Sequence, residues 1–217
     1  MSAREDILNR IREATRDVTE SDPEVDVPIE WVYGQPLATE DVLADFVEKV
    51  EDYKAVVTRC PAGSLPETVA KALHDCGAGS VVVPDGIPDE WVAALEASGL
   101  TVRRDDPPLS SAELNSIDAV LTTCAVAMAD SGTVALDHVE GQGRRALSLV
   151  PDRHVCVVRA DQVVSDVPEG IARLAPGMRE GRAVTWLSGG SATSDIELSR
   201  VEGVHGPRHL TVVLVEG

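Results

Sequence analysis

The chain has 217 residues, a length that suits one α/β domain with a helical appendage. Apolar residues make up 43 %, yet the aromatic set is only three Trp, two Tyr and one Phe, so the core must be built from Val, Ala, Leu and Ile. Against 19 Lys plus Arg stand 37 Asp plus Glu, a net charge of −18 that excludes nucleic acid and anionic membrane surfaces as partners. Such an acidic surface serves solubility, and it is also what keeps protein dispersed in a salt-rich cytoplasm. Cysteines stand at 60, 76, 124 and 156, too far apart for a zinc or iron–sulfur site, so no metal and no cofactor is expected in this chain. Each adjoins apolar residues, as in "HVCVV", and reads as a small buried hydrophobe. The opening "MSAREDILNRIREATRDVTE" lacks an apolar stretch of signal-peptide length, and no run approaches a membrane span. No membrane insertion and a cytoplasmic location are expected.

Residues 3–18 place Ile7, Leu8, Ile11, Ala14 and Val18 at helical spacing between charges. That is an amphipathic helix needing a surface to cover, on this molecule or on another copy in a homo-oligomer. The segment "SDPEVDVPIEWVYGQPL" holds three prolines and reads as a linker, which puts a boundary between residues 1–38 and 39–217. From Thr39, a plausible N-cap, strand and helix alternate. A helix over "TEDVLADFVEKVEDYK" precedes a strand over "AVVTRC". Next come the helix "LPETVAKALHDCG", the strand "SVVVP", the helix "DEWVAALEASG" and the strand "LTVRR". The rhythm argues for parallel strands with crossover helices. After residue 119 it changes. "VAMA" and "TVAL" flank the tight turn "DSGT" and form an antiparallel hairpin. Strands over "ALSLVP" and "HVCVVRADQVV", a helix over "SDVPEGIARLAPG", and strands over "AVTWLSGG" and "LTVVLVE" follow. The fold class is α/β, an open mixed sheet with helices on both faces.

Three loops offer chemistry. In "WLSGGSATSDIE", Gly189 and Gly190 permit backbone N–H groups to turn into one concavity, with Ser191 and Thr193 adding hydroxyls. Open α/β sheets bind ligands outside the carboxyl ends of their strands, which is where this loop is expected. The alternative is a strand-to-helix turn whose hydroxyls only cap. "RVEGVHGPRHL" follows with Glu202 and His205; the imidazole suits acid–base work near neutral pH, or a structural tie to Glu202. In "ADSGTVALD", Asp130, Ser131, Gly132 and Thr133 form a hairpin tip, where the acid is a base, a nucleophile or an ordinary turn residue. In "HVEGQGRRALSLVP", Arg144 and Arg145 beside Gly141 and Gly143 are either anion-binding guanidinium groups or partners of the many carboxylates. P-loop, dinucleotide and nucleophile-elbow motifs are absent.

These loops, above all "SGGSATSDIELSRVEGVHGPRHLTVVLV", together with "ADSGTVALD" and "QGRRALSLVPDRHVCVVRADQVV", resemble the lactate utilization protein C family, whose domain is named LUD. The resemblance spans roughly residues 39–217. It implies a fold like that of glucosamine-phosphate isomerase, ribose-phosphate isomerase and CoA transferase. It also implies a part in oxidising L-lactate to pyruvate beside partner proteins that carry the iron–sulfur clusters. The family usually has Glu at the position of Asp130 and Pro at that of Gly190.

The leading expectation is a subunit of a lactate-oxidising system that binds a small carboxylate or phosphate, or a partner surface, where the loops meet. Arg144 or Arg145 pairs the anion, Gly189, Ser191 and Thr193 donate hydrogen bonds, and Asp195 or Glu197 orients them. The rival is an autonomous enzyme of the isomerase or CoA-transferase fold acting on a phosphorylated or CoA-linked substrate. In it Asp130 or Glu140 is base or nucleophile and His205 assists. A pure interaction protein, docking through the first helix, is a third reading.

Overall fold

A computed structural model describes residues 3–19, 22, 25, 34–193, 201–203 and 205–217. Two compact units divide after Gln35, against residue 38 in the sequence reading. The first holds helix α1 (Ala3–Ala14), with Glu5 and Asp6 in its first turn and Arg12 in its last, each opposing the dipole at its end.

In the second unit, helix α2 (Val42–Asp52) starts two residues later than expected. Asp41, not Thr39, is the cap, its Oδ1 accepting from the N–H groups of Leu43 and Ala44 at 3.0 Å each. Strand β1 (Val56–Pro61), helix α3 (Leu65–Asp75), β2 (Ser80–Val83), α4 (Asp89–Ala97) and β3 (Thr101–Arg104) follow at the predicted places. Gly77 and Gly99 end α3 and α4 at φ +78° and +93°. Helix α5 (Ser111–Asn115) was not expected, although the reciprocal cap between Ser110 and Glu113 that starts it is written in the sequence. Then come β4 (Ala119–Thr123), β5 (Val126–Met128), β6 (Thr133–Leu136), β7 (Arg153–Arg159), β8 (Val163–Val164) and helix α6 (Val167–Arg179). Strands β9 (Thr185–Leu187), β10 (Ala192–Thr193), β11 (Val201–Glu202) and β12 (His209–Glu216) complete the described elements.

The mixed strands read from the sequence are apportioned between two sheets. Six strands, in the order β1-β12-β7-β4-β2-β3, form a wholly parallel sheet. The hairpin β5–β6 joins β8 and β9 in a four-stranded mixed sheet, and β10 pairs β11 in a short ribbon. "ALSLVP" is no strand. Leu147, Leu149 and Val150 donate backbone bonds to Arg144 and Ala146, which winds residues 144–150 into helical turns while Leu147 enters the core.

Parallel sheets need both faces covered, and alternation along each strand does it here. Val81, Val83, Leu121, Val155, Val157 and Val213 pack under α3 and α4. On the other face Cys156, Val158, Val212 and Leu214 meet α2 and the second sheet, while Val82 and Val120 meet Leu114 of α5. The second sheet buries its far side, Val126, Met128, Ala135 and Val164, against Leu174 of α6. Gly170 lets α6 approach, since a Cβ there would stand 2.6 Å from Met128 Sδ.

Phe46, the single Phe, is fully buried where α2 meets the inner face of the second sheet. Phe46→Ala is expected to lower stability by about 3–5 kcal/mol, read as a shift in the urea midpoint with little change in slope.

Candidate functional site

A cavity of about 220 Å³ opens at the amino-terminal ends of β7 and β12, lined by Arg145, Ser148, His154, Gly189, Gly190, Ser191 and His205 among others. Five residues singled out from the sequence, Arg145, Gly189, Gly190, Ser191 and His205, meet there. The expected edge was the opposite one. Strand β9 pairs antiparallel with β6 in the small sheet, so its exit delivers the Gly/Ser loop to the start of β12.

Local packing explains the glycines. A Cβ on Gly190 would stand 2.2 Å from the Arg208 carbonyl, and one on Gly189 (φ +89°) 2.7 Å from Tyr53. Both residues therefore allow close backbone approach. Ser191 ties the two loops together: its N–H donates to Pro207 O at 2.7 Å, its carbonyl accepts from Gly203 N–H at 2.9 Å, and its Oγ accepts from His205 N–H at 3.1 Å. Among the described residues the Ser191 hydroxyl proton has no acceptor. Ser188 Oγ lies 2.7 Å from Thr133 Oγ1, which anchors this wall to the hairpin tip. Arg145 Nη1 donates to the Oγ of buried Ser148 at 3.0 Å and to its carbonyl at 3.2 Å, fixing the guanidinium at the cavity. Among the described residues Arg145 has no carboxylate within 4.0 Å, while Arg144, Arg153, Arg159, Arg173, Arg182 and Arg208 are all ion-paired. In a chain of net charge −18, this guanidinium is held by neutral groups beside a cavity.

Of the other candidates, Arg144 and Glu140 line a separate cavity of about 660 Å³ that Arg145 also borders. Arg144 is ion-paired: its Nε and Nη2 donate to the two Asp105 carboxylate oxygens at 2.7 and 2.9 Å, and Nη2 also donates to Leu109 O at 2.6 Å. Asp130 is exposed and off the cavity. The tip it begins passes against the end of α2, where a Cβ on Gly132 (φ +58°) would stand 2.6 Å from Lys49 backbone. Ser131 Oγ is buried without a partner among the described residues. Thr193 and Glu202 fall in the β10–β11 ribbon, and Asp195 and Glu197 lie outside the described residues. Glu140 lines a different cavity, about 630 Å³, at the carboxyl ends of β4 and β7, with Trp91, Cys124, Arg159 and Arg173.

Two residues escaped sequence reasoning. His154 lines the smaller cavity at 1 % exposure, and Ser148 is buried at 1 % beside Arg145. A histidine inside "RHVCVV" signals only core, and Ser148 lies in a run that reads as a strand. Behind His154 lies a buried polar group. Thr122, Cys124 and Cys156 share this face, and the bond to Cys156, together with burial, pushes the Cys124 thiol above its usual value.

The LUD domain family profile matches residues 43–215. A lactate utilization protein C from Deinococcus radiodurans is 51 % identical over 208 residues, covering 96 % of this chain and 94 % of that protein. A protein of the same name from Geobacillus thermodenitrificans is 25 % identical, covering 97 % and 93 %. The crystal structure of a DUF162 family protein from Deinococcus radiodurans superposes with a TM-score of 0.69 at 47 % identity, covering 83 % of this chain and 99 % of that one. The chain belongs to the LUD domain family.

The Arg144–Asp105 pair gives a signed pH prediction. Burial alone would raise the Asp105 carboxyl, but the hydrogen bonds from Arg144 and Leu109 N–H, with the Arg144 charge, outweigh it and leave it lowered. A lowered carboxyl stabilises the fold above the unfolded value of about 3.9 and loses that contribution as pH falls through its folded value. Arg144→Ala is expected to cost about 1–2 kcal/mol at neutral pH, the half-exposed guanidinium being partly screened. The deficit against wild type should shrink in urea melts at about pH 3.

Proposed function

We propose that this LUD-domain protein serves lactate utilization by holding a small carboxylate in the Arg145 cavity, beside iron–sulfur partner proteins that carry the electrons. The observation that carries this reading is the guanidinium of Arg145, fixed by Ser148 and without a carboxylate partner among the described residues, in a residue that lines with Ser191 a cavity of about 220 Å³. A planar guanidinium matches a carboxylate in two-point hydrogen bonding, and the serine proton supplies a further donor. The shared name of the relatives supports the pathway. The redox centres are assigned to partners because the cysteines here do not fit a cluster. Cys60 packs in the core under α3 and α4, Cys124 and Cys156 in the core on the opposite face, and Cys76 at the end of α3.

Arg145→Ala tests the site. Titration calorimetry with sodium L-lactate should register a loss of affinity of about ten- to a hundredfold, the worth of one or two charge-assisted hydrogen bonds. Lactate-dependent growth should fail while the melting temperature stays within about two degrees of wild type, as for a surface substitution. Unchanged binding by the variant would remove Arg145 from the site.

A second reading attaches to the larger cavity. Glu140 stands there at the carboxyl ends of the parallel strands, the place where open α/β sheets take ligands, with Arg159 and Arg173 nearby. On this reading the chain is an enzyme of the CoA-transferase type with Glu140 as nucleophile. Incubation with acetyl-CoA followed by intact-mass analysis should then give an adduct on Glu140 that Glu140→Gln lacks. An unmodified carboxylate would reject it.

A further inference from the structure

The Arg145 cavity has one wall group whose hydrogen-bonding role is fixed from behind. His154, the second residue of β7, is 1 % exposed, and its Nε2 lies 2.7 Å from Thr122 Oγ1. Thr122 Oγ1 donates to Cys156 Sγ at 3.6 Å, and Cys156 Sγ donates to the Thr123 carbonyl at 3.7 Å. The sulfur accepts from Thr122 whether it keeps its own proton, which then goes to the Thr123 carbonyl, or loses it, since the bonds from Cys124, His154 and Thr122 outweigh burial and lower the Cys156 thiol. Either way the threonine proton goes to sulfur. The threonine oxygen is left to accept from Nε2–H. A neutral imidazole protonated on Nε2 carries its lone pair on Nδ1. That Nδ1 is buried and has no partner among the described residues. His154 lines the cavity, and a buried acceptor without a partner is an unfavourable feature that a donor brought to it relieves.

We propose that His154 is the specificity-determining residue of the Arg145 cavity, accepting through Nδ1 a hydrogen bond from a hydroxyl on the carbon next to the ligand's carboxylate. The cavity therefore favours 2-hydroxy acids over 2-oxo acids and over acids with no substituent there. A 2-oxo acid brings only a second acceptor to Nδ1, and an unsubstituted acid brings a methylene, so both leave the nitrogen unpaired. Thr122 acts through His154 as a positioning residue, holding the tautomer. This assignment rests on the reading of the cavity as a carboxylate site.

The test compares L-lactate, pyruvate and propionate by titration calorimetry on wild type, Arg145→Ala, His154→Phe and Thr122→Val. Wild type should bind lactate about tenfold more tightly than either other acid, the value of one net hydrogen bond. His154→Phe should remove that preference. Thr122→Val removes the acceptor behind Nε2, frees the tautomer, and should move the preference towards pyruvate. It also carries the test if His154→Phe does not fold. Independently, the nitrogen shifts of His154 in the ligand-free protein should report Nε2 protonated and Nδ1 bare. A proton on Nδ1, equal affinity of wild type for all three acids, or a lactate preference that survives Thr122→Val would overturn the assignment. If Arg145→Ala loses all three acids while wild type does not discriminate, the carboxylate site stands and the role of His154 falls. If no acid binds wild type, or Arg145→Ala binds them as wild type does, both fall together.

Discussion

Everything in the second unit depends on how β12 is inserted. It lies between β1 and β7, pairing in parallel with both, so β1 is joined through it to the other four strands of the six-stranded sheet. Alternate residues of β12 point to opposite faces, and the strand contributes Val213 and Val215 to one core and Val212 and Leu214 to the other. The same strand sets the cavity. Its first residues lie beside the start of β7, so Leu210 and His154 are register partners and both line the wall.

The second sheet answers a shortage. Six aromatic side chains cannot supply the bulk that would let a few helices cover a parallel sheet, so a layer of Val, Ala and Met strands does it at close range. Small residues permit that approach. Gly132 runs against α2, and Gly170 admits Met128 under α6. Two glycines read in the sequence as a cradle, Gly189 and Gly190, serve the same closeness, against Tyr53 and Arg208. Their conformational freedom and their packing role are not rivals, because the tight approach is what forms the concavity.

The fold was legible where signals are local. The alternating first half, the Gly77 and Gly99 stops and the "DSGT" hairpin each follow from residues within a turn of one another. Strand partnership is not local, and there the sequence misled. "ALSLVP" has the apolar look of a strand but coils because Ser148 bonds back to Arg145 and Leu147 is taken into the core. Whether β9 belongs to the large or the small sheet decides which end the Gly/Ser loop visits, and nothing in "AVTWLSGG" announces it. Half of the candidate site was visible for the same reason. Residues of unusual type in loops draw attention, while His154 and Thr122 sit inside apolar strands and become interesting only once the tertiary structure joins them.

The seating of β12 also governs how the chain comes to be built. Val56 pairs with Thr211, roughly 150 residues downstream, so β1 has to wait for its neighbour while the ribosome makes everything between. At ordinary elongation rates that interval is on the order of ten seconds, long enough for a bare edge to meet other nascent chains. Val56, more than half exposed even in the finished sheet, then stands at that edge together with Arg59, whose charge is a deterrent to stray pairing. A protein of this topology therefore exposes that edge early in its life and closes it only when β12 has been made.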